Sequence, residues 1–127
     1  MEINNAAALS EVTAAFQGYE AALMANDLEA LNGYFNDDAA TIRYGIGENL
    51  YGADAIRSFR AARNPVGLAR RTEQTVITTY GDDFATANTL FYRDTVPGKV
   101  GRQSQTWVRT ADGWKIVSAH VSVIDAV

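Results

Sequence analysis

The chain has 127 residues, of which 47% are apolar and 10% aromatic, with a formal net charge of −4 and no cysteine. That length predicts a single domain over residues 1–127. The missing cysteines exclude a disulfide, a thiolate metal site and a cysteine nucleophile, while the mixed, net acidic charge lacks the basic stripe of a nucleic-acid surface.

The elements follow in chain order. Met1-Glu2-Ile3-Asn4-Asn5 does not begin with a basic segment followed by an apolar one, as a secretory signal would. No apolar run approaches the ~20 residues of a membrane-spanning helix, so a cytoplasmic location is expected, with neither membrane nor nucleic acid as partner. Leu9, Val12, Phe16, Tyr19 and Leu23 recur at spacings of three and four, the stripe of an amphipathic first helix. Asn4 or Asn5 can cap its start and Asn26 its end. Asp27 then caps a short second helix with Leu28, Leu31 and Tyr34 or Phe35 inward, broken by Asn36-Asp37-Asp38.

Ala40 to Tyr44 is β-branched and aromatic, and reads as a short strand. Gly45, Gly47 and Gly52 make the segment around Glu48-Asn49-Leu50-Tyr51 turn-rich. A third helix is expected over residues 54–63, with Ile56 and Phe59 inward, stopped at Asn64-Pro65-Val66-Gly67. Four long strands follow, over residues 70–80, 83–93, 100–109 and 114–123. Gly81-Asp82, Pro97-Gly98 and Asp112-Gly113 mark the turns. Three helices followed by a meander is an α+β pattern, helices on a curved antiparallel sheet with a pocket between.

The last hairpin allows the two sheet faces to be assigned. A two- or four-residue loop at Ala111-Asp112-Gly113 puts Gln103, Gln105 and Trp107 on one face with Ile116, Ser118, His120 and Ser122, because cross-strand partners share a face. Large aromatic, amide and imidazole groups together suit a pocket wall. The other face would carry Ser104, Thr106, Val108, Val117, Ala119 and Val121. With no helix left to cover it, that face is expected to pair with a second copy, giving a homodimer.

Several side chains are candidates for chemistry. Arg43 is either an edge-strand cation in water or an inward fork of donors for a carboxylate. Tyr19 is either a core phenol bonded to the backbone or a donor to a ligand. His120, the only histidine, is either structural or a proton carrier near neutral pH. Alone it makes no metal site, and neither metal nor cofactor is expected. Glu48 and Asn49 are solvated turn residues or line the pocket mouth. No GxSxG elbow is present, and Gly45-Ile46-Gly47 lacks the third glycine of a dinucleotide loop.

The helices, the meander and the closing Gly113-Trp114-Lys115-Ile116-Val117 with His120 resemble the NTF2-like superfamily, a cone enclosing a pocket. Within it, six segments resemble the AtzH-like (HpxZ) family. They are Gly18 to Leu23, Arg43-Tyr44-Gly45 with Glu48 to Gly52, Phe59-Arg60-Ala61-Ala62-Arg63, Thr78 to Gly81, Gly101 to Trp107, and Ala119 to Ser122. The resemblance implies a role in breaking down small nitrogenous compounds such as oxalurate, and a reaction like the decarboxylating amidohydrolysis of 1,3-dicarboxyurea to allophanate. It implies Tyr19 and Arg43 as catalytic residues. Tyr44, Gln103, Gln105, Trp107 and His120 are the accompanying candidates for binding a small carboxylate substrate. Two other functions fit the same residues: a non-catalytic escort for a neighbouring amidase, and an isomerase or dehydratase with His120 as base.

Overall fold

The computed structural model describes residues 1–126. Helix α1 (Ala6–Ala25) opens at Asn5, whose side chain accepts from the Ala8 N–H at 2.9 Å, and closes at Asn26 in the left-handed conformation. Asp27 caps α2 (Leu28–Tyr34) by accepting from the Ala30 N–H at 3.2 Å. Strands β1 (Ile42–Tyr44) and β2 (Asn49–Tyr51) precede α3 (Ala53–Ala62). The long strands β3 (Arg71–Tyr80), β4 (Phe84–Tyr92), β5 (Lys99–Thr110) and β6 (Gly113–Asp125) complete the chain.

Six strands form one sheet in the order β2-β1-β6-β5-β4-β3. The neighbours are antiparallel except β1 and β6, which run parallel. The sheet is therefore mixed rather than purely antiparallel. The turn-rich segment after Gly45 supplies a strand that the glycines concealed, because β2 pairs with β1 across a tight reversal. That pairing also moves β1 off the edge, so Arg43 lies between two neighbouring strands.

Side chains alternate across the sheet. The inner face carries Ala85, Ala87, Trp107, Ile116 and Ala119, packed against Val12, Phe16, Tyr19 and Leu23 of α1 and Leu31 and Phe35 of the α2 region. The amphipathic stripe of α1 is the sequence's core made visible, with Ala8 and Ala22 added and Leu9 only half-buried.

The β5–β6 hairpin has the two-residue loop that the face assignment needs, and Trp107 pairs with Ile116 as expected. A bulge then intervenes: Thr106 pairs with Ser118, so Val117 has no partner of its own. One extra residue exchanges the faces of everything beyond it. Ala119 and Val121 are consequently the inward partners of Gln105 and Gln103, while Ser118, His120 and Ser122 are not. The expectation that His120 shares a face with the two glutamines is corrected by that one residue. A second bulge in β3, between Glu73 and Val76, has Gln74 at φ 52° and joins Thr75 to Thr89 by a 2.7 Å hydroxyl bond.

Candidate functional site

The inner face brings together basic side chains from four elements. Arg43 of β1 is 9% exposed, Arg60 of α3 is 2% exposed and Arg70, just before β3, is 8% exposed. Arg63 and Arg93 are half-buried beside them. Four of these five guanidiniums lie over an aromatic ring. Arg43 lies 5.6 Å from the centroid of Phe59, Arg60 4.9 Å from Phe35 and 5.9 Å from Tyr19, and Arg70 and Arg93 4.3 and 5.0 Å from Phe91. A ring face holds a cation without using its N–H donors, which stay free for an acceptor.

Glycine allows one of these rings its place. A Cβ on Gly101 would fall 2.1–2.3 Å from three atoms of the Phe91 ring, so only glycine lets the ring lie across β5. Likewise Gly18 of α1 admits the Tyr34 hydroxyl, which a Cβ would meet at 2.0 Å. Tyr34 then stands edge-on to both Tyr19 and Trp107 at 6.2 and 6.1 Å.

Two carboxylates answer part of this charge. Glu20 binds Arg70 through both carboxylate oxygens, at 3.1 Å to Nε and 2.5 Å to Nη2. Gln103 joins them, accepting from Arg70 Nη2 at 2.9 Å and donating to Glu20 at 3.3 Å. Glu48 accepts from Arg43 Nη1 at 2.9 Å and, with its other oxygen, from the Gly47 N–H at 3.2 Å. Glu48 is thus ion-paired while its side chain stays 23% exposed. Among the described residues no carboxylate pairs with Arg60, Arg63 or Arg93.

Tyr19 stands at the centre. Its hydroxyl accepts from Arg60 Nη2 at 3.4 Å, both residues being buried. Burial alone would push the phenol pKa up. Arg60, through charge and hydrogen bond, and then Arg70 and Arg43 outweigh it, and the pKa lies below the ordinary phenol value. Arg63 is pushed down to about 10 by its own burial and by Arg60, Arg43 and Arg93, yet remains a cation at neutral pH. Arg93 is lowered by burial, Arg70 and Arg43. Gln105 accepts from Trp107 Nε1 at 3.0 Å, which turns its amide nitrogen the other way as a donor.

Two sequence candidates sit elsewhere. Tyr44 and His120 share the outer face, ring centroids 6.1 Å apart, and the Tyr44 hydroxyl hydrogen-bonds that of Tyr51 at 3.1 Å. Tyr44 follows Arg43 by one residue on a strand and so must point the opposite way. His120 lines a separate outer indentation of about 190 Å³ with Thr86, Asn88, Ser104 and Ser118. Among the described residues, no three His, Asp or Glu side chains are grouped to hold a metal ion, and no helix is long and apolar enough to cross a membrane.

The sequence profile of the AtzH-like family matches residues 1–127. The chain belongs to the AtzH-like family. A solved structure of a protein of unknown function from Pectobacterium atrosepticum is 53% identical, covers 97% of this chain and 95% of its own, and superposes with a TM-score of 0.94. A cystatin-like fold protein from Burkholderia xenovorans is 49% identical over 100% and 99% of the two chains, with a TM-score of 0.95. An NTF2-like protein of unknown function from Pseudomonas putida, at 16% identity, 93% and 87% coverage and a TM-score of 0.76, shows the NTF2-like fold alone. Comparison with proteins of curated function gives no match.

Within this AtzH-like chain, Tyr19, Arg43, Gln103, Gln105 and Trp107 converge on the inner face. Sequence reasoning missed Arg60, Arg63, Arg70, Arg93 and Glu20 as members of the cluster. A signal for Arg60 was present: it lies four residues after Ile56, on the same helix face.

Proposed function

We propose that the inner face binds a small carboxylated, urea-type compound and catalyses a decarboxylating amidohydrolysis, as in the conversion of 1,3-dicarboxyurea to allophanate, within the catabolism of small nitrogenous compounds. The observation that carries this reading is the buried phenol of Tyr19 set among the guanidiniums of Arg60, Arg70 and Arg43. Such an interior is built for negative charge, and a low-dielectric setting strengthens every interaction with it.

In this reading Arg43 pairs with one substrate carboxylate, using donors that Glu48 leaves open. Tyr19 donates a hydrogen bond to the urea carbonyl or to the departing nitrogen. When the N–carboxylate bond breaks, its electron pair passes to nitrogen and spreads onto the adjacent carbonyl. Carbon dioxide leaves, and a proton is taken up by the nitrogen. A donor aimed at that developing charge contributes about 3 kcal/mol, or roughly a hundredfold in rate.

The test is turnover of 1,3-dicarboxyurea by Arg43→Met and Tyr19→Phe, each checked for folding. A roughly hundredfold loss in each supports the roles. Wild-type rates in both folded variants would remove them.

A further inference from the structure

The interior cluster divides into two parts by how its charge is answered. Arg43 and Arg70 each face a carboxylate. Arg60 keeps Nε and Nη1, Arg63 keeps Nε and Nη2, and Gln105 keeps Nε2 with no hydrogen-bond partner although all five atoms are buried. Every one of these atoms is a donor, so the missing complement is an acceptor. A buried guanidinium without a counter-charge is strongly unfavourable, and buried polar groups are otherwise satisfied almost without exception.

Gln105 sharpens the point. Trp107 occupies its carbonyl oxygen at 3.0 Å and so commits the amide nitrogen to the interior as a donor. A glutamate there would have brought a negative charge into the same interior from within the chain. The amide leaves that charge for something that comes from outside. Arg93, also with a buried unpartnered Nε, lines an indentation of about 210 Å³ together with Ile46, Phe91 and Val96.

We infer that Arg60, Arg63 and Gln105 form the seat for a second anionic group, so that the ligand is a compact dicarboxylate held at one end by Arg43 and at the other by this seat. The inference rests on the reading of the inner face as a carboxylate site, and assigns the second carboxylate of that ligand. Two cationic forks and one amide offer more donors than a single carboxylate can use alongside Arg43. They provide no acceptor for an N–H or O–H at that end, which disfavours a neutral amide or alcohol there.

Calorimetric titration with malonate, acetate and inorganic phosphate tests the seat. Wild-type protein is expected to bind malonate at least about tenfold more tightly than acetate, an additional charged contact being worth at least that factor. Arg63→Gln, at the half-buried end of α3, should bring the two affinities together, malonate weakening by the larger factor. Gln105→Glu should lose malonate binding and raise the melting temperature, because its carboxylate occupies the seat. Phosphate binding as tight as malonate would overturn the assignment to a dicarboxylate. A malonate-to-acetate ratio unchanged in both variants would overturn the seat, and if Arg43→Met still weakened acetate, the carboxylate-site reading would survive alone. Malonate selectivity lost in both variants, without turnover of 1,3-dicarboxyurea by wild type, would instead sink the reaction and leave the seat standing.

Discussion

Replacing Glu20 by Gln keeps the shape of the inner face and removes one charge. The Arg70 side chain is 2% exposed and has its carboxylate partner in Glu20, with Gln103 as the remaining acceptor. Breaking a buried pair from one side leaves an uncompensated cation and costs about 3–5 kcal/mol. The new amide carbonyl can still accept one bond from Arg70, worth about 1 kcal/mol. Arg93 adds repulsion from the same side, since Arg70 already lowers its pKa. The net loss should be about 2–4 kcal/mol. In urea, with a slope near 2 kcal/mol per molar, the unfolding midpoint should fall by about 1–2 M. Malonate at about a hundredfold over its dissociation constant should restore up to about 2.7 kcal/mol. Glu20→Leu combined with Arg70→Met should be far less damaging than Glu20→Gln alone, because both members of the pair are then gone. A Glu20→Gln midpoint within about 0.2 M of wild type would refute the claim that this guanidinium is held, charged, in a dry interior.

Two further outcomes follow from the same geometry. Gly101→Ala sets a methyl against the Phe91 ring, and the overpacking should cost about 1–3 kcal/mol. Thermal unfolding should show it as a drop of roughly 4 °C per kcal/mol, and a smaller side chain at Phe91 should recover part of it. The Tyr19 phenol, with its folded-state pKa below the unfolded value, contributes stability that is present above the unfolded pKa and lost as pH falls through the folded one. The stability of wild type relative to Tyr19→Phe should therefore rise as pH climbs from neutral toward the ordinary phenol value of about 10, and an early component of the phenolate absorbance titration should vanish in the variant. A flat difference across that range would show that the arginines do not act on this hydroxyl.

The sequence by itself determined the helices, the meander and most of the core. Such signals are local: a stripe at three and four along α1, an Asp27 cap, a Gly-bearing turn between strands. It also determined that Arg43 and Tyr44 must oppose each other, since alternation along a strand is geometry. Only the tertiary structure decided which residues share the interior. The bulge at Val117 moved His120 to the outside, and nothing in its local composition announced an extra residue. The pairing of β2 with β1 took Arg43 away from the edge. Glu20 meets Arg70 across fifty positions of chain and Tyr19 meets Arg60 across forty-one. A charged residue reads as solvent-facing until the fold shows that its partner, or the place for one, lies inside.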